Sequence, residues 1–283
     1  FSRGRPQGRD MTEHRHILVT NDDGIESPGL WKLAGAMSAI GRVMVVAPAA
    51  EASGSGTMVT YRRDLQVQQV PERIPGIKAY MVDGTPADCV LIGLRRLKEG
   101  RISVIAAGIN PGANLGVDFY LSGTCGASLM GAFRKVTSFA LSQVIERTED
   151  EATLPEVSWE TSEATARMLA GAIERGAIPE GSFLNVNVPP LPVDELKGVA
   201  ITRVAPGGYV HLSERGDGVH ERLERQLVAD TRHAHPGTDI RAVLDGYVSI
   251  TPLDTSLTND AHVQQLAPTA DALFAELKEG VWK

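Results

Sequence analysis

The sequence predicts an α/β protein built on a doubly wound, mostly parallel, Rossmann-like sheet. Three observations support this fold class: short apolar runs recur along the chain, most of them end in a polar or Gly-rich loop, and segments of helical length follow these loops. Strands of a parallel sheet are buried on both faces, so they occur in a sequence as continuous apolar runs. Alternation of such strands with helices over residues 11–145 is typical of a sheet covered by helices on both sides.

The first predicted strand, residues 17–19, ends at a turn that contains the adjacent acids Asp22 and Asp23. A helix is predicted next, over residues 30–40. In an open α/β sheet, the carboxyl ends of the strands face the ligand crevice. Two neighbouring carboxylates repel each other unless a cation neutralises them, and a hard divalent cation prefers such oxygen ligands. A plain surface turn is the alternative, because Asp and Gly both favour turn conformations.

The second predicted strand, residues 43–46, also ends in a loop, the small and flexible segment 49–57. Segments rich in Gly and Ser are usually linkers, but this one follows a strand that we expect to lie beside the first. Segment 61–82 mixes alternating and polar stretches, and it predicts a β excursion. Residues 85–97 then predict a helix, with threonine as N-cap and proline at the first helical position.

The polar loop 108–116 follows the predicted strand 103–107 and contains two asparagines. Soon after it, Ser122, Gly123 and Thr124 lead into a predicted helix of small residues at 129–133. Hydroxyl groups, free backbone N–H groups and the positive end of a helix dipole favour a phosphate at such a point. A capped helix without a ligand is the alternative interpretation.

The rest of the chain, residues 146–283, is expected to supply covering helices, a β-rich extension and a terminal helix. Segment 206–236 is charged and rich in glycine, and its four histidines match no standard spacing of metal ligands. Solvated hairpins or an arm are therefore expected there rather than a metal cluster. The remaining predicted elements are strands at 138–143, 183–188, 199–204 and 246–251 and helices at 159–175 and 260–278.

Composition limits the classes of function. The 283 residues are 42% hydrophobic and 22% charged, which suits a globular protein, and the net charge of −7 gives no basic field for nucleic acid or an acidic membrane surface. No apolar run approaches the ~20 residues of a membrane-spanning helix. Residues 1–10 are interpreted as a tag-like or disordered arm, and residues 11–283 as one domain. Cytoplasmic location is the expectation.

The two cysteines, Cys89 and Cys125, indicate neither a disulfide framework nor a thiolate zinc site. A cysteine phosphatase would need an arginine that closes a short loop around the thiolate, and the next one here, Arg134, lies too far along the chain. Both cysteines are therefore interpreted as structural.

Taken together, these segments resemble the SurE family of phosphatases, the survival-protein nucleotidases. The resemblance covers nearly the whole chain in the expected order, and the specificity comes from that order rather than from any single motif. The matching segments are ILVTNDDGI at 17–25, VVAP at 45–48 with Ser53 after it, DGTPADCV at 83–90, GIN at 108–110 with Asn114 and Gly116, SGT at 122–124 and GYVSITPL at 246–253.

The resemblance implies a metal-dependent 5′-nucleotidase that acts on nucleoside monophosphates, with possible activity on 3′-nucleotides and polyphosphate. It implies one divalent cation per subunit, Mg²⁺ or Mn²⁺, and a homodimer or homotetramer formed through the C-terminal β arms and terminal helix, without stable nucleic acid or membrane partners. Mapped onto this chain, the implied metal ligands are Asp22, Asp23, Ser53 and Asn110, with the two acids also catalytic, and the implied phosphate-binding residues are Asn21, Asn114, Ser122, Gly123 and Thr124.

This chain departs from the family pattern at four positions. Thr57 and Met58 stand where the family usually has serine and often histidine, Leu121 stands where it has tyrosine or histidine, and Cys125 replaces a usual valine. The metal-ligand set is intact, so these departures bear on nucleotide preference and rate rather than on the type of reaction.

The leading hypothesis is metal-assisted hydrolysis of a phosphate monoester. A haloacid-dehalogenase-type phosphatase is one alternative. Such an enzyme needs an Asp-x-Asp motif after the first strand and a lysine later in the chain, and the adjacent pair Asp22 and Asp23 fits that motif poorly. A receiver-like signalling domain is the other. It needs a phosphoacceptor aspartate at the end of a central strand, where this chain has Asn110.

Overall fold

A computed structural model describes residues 15–97, 100–145, 157–209, 211–216, 221–226 and 231–279. The arm expected at 1–10 and the acidic linker expected at 146–156 lie outside the described residues. The chain forms two compact units, Phe1–Leu253 and Asp254–Lys283.

The strands of the described part are β1 (His16–Thr20), β2 (Arg42–Pro48), β3 (Val67–Val70), β4 (Lys78–Val82), β5 (Ile102–Pro111), β6 (Thr137–Gln143), β7 (Phe183–Val188), β8 (Gly198–Ile201), β9 (His211–Gly216), β10 (Glu221–Gln226) and β11 (Tyr247–Leu253). The helices are α1 (Pro28–Met37), α2 (Pro86–Arg96), α3 (Gly123–Ala132), α4 (Glu160–Glu174), α5 (Asp239–Leu244), α6 (Asp260–Leu266) and α7 (Ala270–Glu279). None of these helices has the length and hydropathy needed to cross a bilayer.

Nine strands form one mixed, mostly parallel sheet in the order β3-β4-β2-β1-β5-β6-β7-β11-β8. The six strands from β4 to β7 in this order run parallel, whereas β3 is antiparallel to β4 and β11 is antiparallel to β7. The predicted α/β fold class is confirmed. Three strands from the second half of the chain extend this sheet, while β9 and β10 form a separate hairpin in the charged segment where hairpins were expected.

Burial on both faces explains why the central strands are continuous apolar runs. In β1, Ile17 and Val19 belong to the apolar cluster shared with α1 and α4, whereas Leu18 belongs to the cluster shared with α2 and α3. All three side chains are fully buried. Side chains alternate between the faces of a strand, so a strand with helices on both faces needs an apolar residue at every position.

The start of α2 is set by local chemistry that the sequence revealed. Thr85 Oγ1 accepts a hydrogen bond from the backbone N–H of Asp88, and the Asp88 carboxylate accepts one from the backbone N–H of Thr85. This reciprocal capping box satisfies donors that a helix start otherwise leaves free. Pro86 occupies the first turn, where its missing N–H costs nothing.

Three helices differ from the prediction. The helix α3 begins at Gly123, six residues before the predicted helix at 129, because its first turns consist of small residues with weak intrinsic preference. The helix α5, with six residues, is too short to show a period and was not predicted. The terminal helix expected over 260–278 is divided into α6 and α7 by a 3-10 turn at Ala267–Thr269, and this turn contains a proline, which lacks the N–H that continues a helix.

The C-terminal unit, taken by itself, consists of α6, the 3-10 turn and α7. The side chain of Asn259 caps α6 by accepting a hydrogen bond of 3.1 Å from the backbone N–H of His262. Several large apolar side chains of this unit are more than half exposed, namely Leu257, Val263, Leu266, Leu273, Phe274 and Leu277.

The close crossing of α2 over β1 provides a test of the core packing. A Cβ atom on Gly93 would lie 2.6 Å from Leu18 Cδ1, and Leu18 is fully buried, so its side chain cannot turn aside. We expect Gly93→Ala to lower the free energy of unfolding by about 1–3 kcal/mol, the usual cost of overpacking. Chemical denaturation measures this change.

The matched control is Gly35→Ala in α1. Its new methyl group would lie 3.7 Å from Ile74 Cδ1, an ordinary contact. Alanine favours a helix over glycine by about 1 kcal/mol, so this variant should be slightly more stable than the wild type. Equal denaturation midpoints for Gly93→Ala and the wild type would contradict the described packing.

Candidate active site

The four residues implied as metal ligands lie at the same edge of the sheet. Asp22 and Asp23 follow β1, Ser53 follows β2, and Asn110 lies near the carboxyl end of β5. These three strands are parallel neighbours in the order β2-β1-β5. Because their carboxyl ends coincide, the structure brings the four residues to one end of the sheet, at the place where α/β folds bind ligands.

Asp22 is buried and is held from two directions. Its backbone carbonyl accepts a hydrogen bond of 2.7 Å from the N–H of Ala52, the residue before Ser53. Its carboxylate Oδ1 accepts one from the Thr124 hydroxyl. A Cβ atom on Gly123 would lie 3.0 Å from Asp22 Oδ2, so a larger residue at 123 would crowd the carboxylate. Asp22 therefore joins the loop after β2 to the start of α3.

Asp23 is a carboxylate in an unfavourable environment. The pKa of Asp23 is raised to about 7. Burial is the largest cause, and the negative charges of Asp22 and Glu51 come second. Its Oδ2 is buried and has no hydrogen-bond partner among the described residues. A charged oxygen in that position is costly unless a positive group compensates for it.

The turn that carries the two acids is fixed by its neighbours. Asn21 Nδ2 donates a hydrogen bond of 3.0 Å to the Gly24 carbonyl, and the N–H of Ile25 donates one of 2.9 Å to the Pro48 carbonyl at the end of β2. Gly24 has a φ of 95°, a conformation that residues with a side chain rarely adopt. Within the described chain, Asn21 Oδ1 is a second buried oxygen without a partner.

Two serines of the loop after β2 have different surroundings. Ser53 is exposed, and its Oγ donates a hydrogen bond of 2.9 Å to Glu51 Oε1. Ser55 Oγ is buried without a partner in the part of the chain that the structure describes, and a Cβ atom on Gly123 would lie 2.7 Å from it. Ser55 thus lies beside the start of α3 and near Asp22. Sequence reasoning missed it, because Gly-Ser-Gly resembles a linker.

Asn110 is buried at the carboxyl end of β5. Its Nδ2 donates a hydrogen bond of 2.8 Å to the Gly112 carbonyl. This bond directs the amide nitrogen into its own loop, so Oδ1 is the atom that can serve as a ligand.

The start of α3 supplies the hydrogen-bonding groups of the predicted phosphate loop. Ser122 is the N-cap, and its Oγ accepts a hydrogen bond of 3.2 Å from the backbone N–H of Cys125. The Thr124 hydroxyl, by contrast, donates its hydrogen to Asp22 Oδ1. The ten residues of α3 also place the positive end of a helix dipole beside the two acids.

A buried polar network holds Asn114 in place. Its backbone N–H donates to Asn187 Oδ1 at 2.9 Å, and its side-chain Nδ2 donates to Ser142 Oγ at 2.8 Å. Its carbonyl accepts from Asn185 Nδ2 at 2.7 Å and from Asn187 Nδ2 at 3.1 Å. Asn185 Oδ1 also accepts a weak bond from Cys125 Sγ at 3.7 Å. The network therefore connects the loop after β5 to the first turn of α3.

Sequence reasoning missed the two asparagines of β7 in this network. Asn185 and Asn187 are fully buried. A signal was present, since they alternate with apolar residues in the run FLNVNV, which places both side chains on one face of the strand. Their partner lies more than 70 residues earlier in the chain, and the pattern does not reveal it.

Both cysteines are buried and free. Burial raises the pKa of the Cys125 thiol well above its usual range, and burial together with the charge of Asp88 does the same for Cys89. A neutral thiol is a poor nucleophile, so this environment does not suit cysteine-based phosphate transfer.

The oxygen atoms of the site suit a hard divalent cation. The two carboxylates, the Asn110 amide oxygen and the serine hydroxyls are the donor types that Mg²⁺ and Mn²⁺ prefer. Among the described residues, no cluster of three or more His, Cys, Asp or Glu provides an alternative metal site. The unpartnered oxygen of Asp23 is the feature that a cation would explain.

Known proteins resemble this chain over most of its length. The family model for Survival protein SurE matches residues 17–210, which include every residue discussed in this subsection. A 5′-nucleotidase SurE of Dehalococcoides mccartyi is 40% identical over 244 residues, which cover 85% of this chain and 89% of that protein. A 5′-nucleotidase SurE of Moorella thermoacetica is 39% identical over 253 residues, which cover 89% of this chain and 94% of that protein.

A solved structure extends the similarity to the fold. The crystal structure of the SurE protein from Aquifex aeolicus matches with a TM-score of 0.73 and 33% sequence identity. The match covers 89% of this chain and 98% of that one.

The contact between α3 and the loop after β2 provides a test of the site. A Cβ atom on Gly126 would overlap the Gly56 carbonyl oxygen and would lie 3.0 Å from the Thr57 nitrogen. Backbone atoms cannot move aside as a side chain can, so we expect Gly126→Ala to displace the loop that carries Ser53. Phosphate release should fall at least tenfold, while the Gly35→Ala control keeps its activity. Wild-type turnover by Gly126→Ala would show that the loop does not need this contact.

Proposed function

This chain belongs to the SurE family, and we propose that it hydrolyses nucleoside monophosphates to a nucleoside and inorganic phosphate with a divalent cation bound at the carboxyl ends of β1, β2 and β5. It is a 5′-nucleotidase, as its curated relatives of about 40% identity are named. The observation that carries the proposal is the buried acid pair, in which Asp23 Oδ2 has no partner among the described residues.

The ligand set proposed for the cation consists of Asp22, Asp23, Ser53 and Asn110. Their position at one sheet edge supports this set, as does the hydrogen bond that orients the Asn110 side chain. Ser53 is the ligand that must change its contacts, because its Oγ now donates to Glu51. When bound, Mg²⁺ or Mn²⁺ would neutralise the two carboxylates, polarise a phosphoryl oxygen and lower the pKa of a water molecule.

The residues of the chain bind and orient the phosphate. The free backbone N–H groups at the start of α3 and the positive end of its dipole favour a phosphate oxygen. The Ser122 hydroxyl is proposed to donate to a second oxygen of the phosphate. Thr124 acts indirectly, because its hydroxyl holds Asp22. Asn114 also acts indirectly, because its Nδ2 donates to the buried Ser142 Oγ. Asn114 therefore supports the loop and does not contact the phosphate through Nδ2.

A proton acceptor for the attacking water is also present. Asp22 Oδ1 already accepts the Thr124 hydroxyl, whereas Asp23 Oδ2 accepts no hydrogen bond from any described residue. We propose that one of the two aspartates takes the proton of the attacking water, through a carboxylate oxygen that the cation does not bind. Both aspartates lie at the same edge of the sheet as the phosphate-binding N–H groups.

The two alternative functions find no support. Nothing in the comparisons points to a haloacid-dehalogenase-type phosphatase or to a receiver domain, and the relatives are named as 5′-nucleotidases. The end of β5 carries Asn110, which cannot accept a phosphoryl group as a receiver aspartate does.

Several finer properties belong to the proposal as well. We propose a homodimer or homotetramer assembled through the β9–β10 arm and the terminal helices, whose exposed apolar side chains are available for such contacts. Two free cysteines fit a reducing compartment, the cytoplasm. Activity on 3′-nucleotides and polyphosphate is proposed from the family resemblance.

The decisive variant is Asp22→Asn. It removes one of the two charges that attract the cation and alters the bond to Thr124, so metal-dependent phosphate release from AMP or GMP should be abolished. Circular dichroism should show an intact fold, because asparagine has the same shape.

The matched control is Asp245→Asn. Asp245 is a partly exposed acid that pairs with Arg241 on the surface of α5, so its loss should leave turnover unchanged. Near-normal turnover by Asp22→Asn would exclude the proposed site.

A further inference from the structure

Asp88 is a buried carboxylate whose hydrogen bonds extend beyond the helix that it caps. It is 2% exposed. Its Oδ2 accepts the capping bond of 2.9 Å from the backbone N–H of Thr85 and a second bond of 2.7 Å from the Thr60 hydroxyl. Its Oδ1 accepts one of 2.9 Å from the backbone N–H of Thr60. The cap needs only the bond to Thr85, and the two bonds to Thr60 join the start of α2 to the loop after β2.

The N-cap residue Thr85 adds another connection to the same loop. Its Oγ1 accepts a hydrogen bond of 3.2 Å from the backbone N–H of Asp88 and donates one of 2.5 Å to the Met58 carbonyl. The capping box therefore fixes the Thr85 hydroxyl in the orientation that binds the loop. As a result, the start of α2 holds the loop both at Met58 and at Thr60.

The loop held in this way, residues 52–60, has two further anchors. The N–H of Ala52 donates a hydrogen bond of 2.7 Å to the Asp22 carbonyl, and the N–H of Gly56 donates one of 3.1 Å to the Leu121 carbonyl. Within the loop, only Gly56 is buried, and the other residues are exposed or half-buried. Hydrogen bonds rather than a packed core therefore determine its conformation, so the loss of one anchor should loosen the neighbouring residues.

A carboxylate is the side-chain group that satisfies all the donors around position 88. Asp88 accepts three hydrogen bonds, and bonds to an ionised acceptor are stronger than those between neutral groups. Asparagine would present one oxygen and one NH₂ group, which is itself a donor, so at least one present donor would lose its acceptor. A Cβ atom on Gly84 would lie 2.7 Å from Asp88 Oδ2, so the carboxylate lies close against the backbone there.

We propose that Asp88 is a positioning residue for the reaction, because its carboxylate holds the loop 52–60 and thereby keeps Ser53 at the sheet edge that carries the acid pair. This inference rests on the proposed function, in which Ser53 is a ligand of the cation. Asp88 acts through Thr60 and not by contact with the cation or the substrate. When the anchor is lost, a cation that binds through Ser53 must also order the loop, and this ordering lowers its affinity.

The test removes the anchor from either side and measures Mn²⁺ binding to the metal-free protein by calorimetry. Thr60→Val keeps the shape of the side chain and the backbone bond, loses the hydroxyl bond and leaves the helix cap intact. The dissociation constant for Mn²⁺ should rise about threefold in Thr60→Val and about tenfold in Asp88→Asn, as for residues that orient metal ligands. Thr60→Ser keeps the hydroxyl and should keep the wild-type value. Thr60→Val gives the decisive reading if Asp88→Asn, which also weakens the cap, does not fold.

Hydrogen exchange of the metal-free protein separates position from stability. In Thr60→Val, the backbone amides of residues 53–58 should exchange faster than in the wild type, whereas those of α2 should keep their rates, because the capping bonds remain. Phosphate release from AMP at saturating Mn²⁺ should stay near the wild-type rate, since the anchor affects binding of the cation rather than the chemical step.

The matched control is Thr137→Val. Thr137 Oγ1 accepts a hydrogen bond of 2.9 Å from the N–H of Gly181 at the amino end of β6, the opposite edge of the sheet, so its loss should lower stability and leave Mn²⁺ binding unchanged. Wild-type dissociation constants in both Thr60→Val and Asp88→Asn overturn the inference. Faster exchange throughout α2 in Thr60→Val overturns it too, because it shows a general loss of stability. If the wild type neither binds Mn²⁺ nor releases phosphate, the proposed function itself fails, which is a separate result. Unchanged exchange of residues 53–58 then still decides against the anchor.

Discussion

The candidate site depends on the burial of two adjacent carboxylates, Asp22 and Asp23, at the carboxyl end of β1. Burial and the neighbouring negative charges raise the pKa of Asp23 to about 7, and each unit of pKa corresponds to about 1.36 kcal/mol. This arrangement lowers the free energy of unfolding unless a cation compensates for the negative charge. A divalent ion bound at the proposed site would remove this unfavourable energy, and the hydrogen bonds from the surrounding loops hold Asp22 in place.

Strand order and a few long-range hydrogen bonds build the site around that pair. The order β2-β1-β5 delivers three loops to one edge. Ala52 and Thr124 then bind Asp22 from two of the surrounding segments, and Gly56 joins the loop after β2 to the residue before the N-cap of α3. Beneath them, Asn185 supports Asn114 and Cys125 at the same time. Hydrogen bonds thus connect these segments to one another.

Local patterns predicted the parts of this structure that local chemistry controls. The apolar run at 17–19 predicted a strand buried on both faces. Thr85 as N-cap, followed by Pro86 at the first helical position, predicted the start of α2. The early start of α3 was not predicted, because its first turns consist of small residues with weak helix preference. The position of Ser55 beside Gly123 was not predicted either, because this contact joins segments that are far apart in the chain. The asparagines of β7 show the same limit, since their polarity was visible but their partner was not. The ligand roles of Asp22 and its companions came from family resemblance, and they stay a prediction.

We propose that one cation binds oxygens from three separate segments of the chain. The most direct measurement is the anomalous signal of Mn²⁺ in crystals of the protein. We expect one strong peak with the oxygens of Asp22, Asp23, Ser53 and Asn110 within about 2.5 Å, the range for hard cations. A peak that lacks both Ser53 and Asn110, or one that lies away from the acid pair, would contradict this proposal.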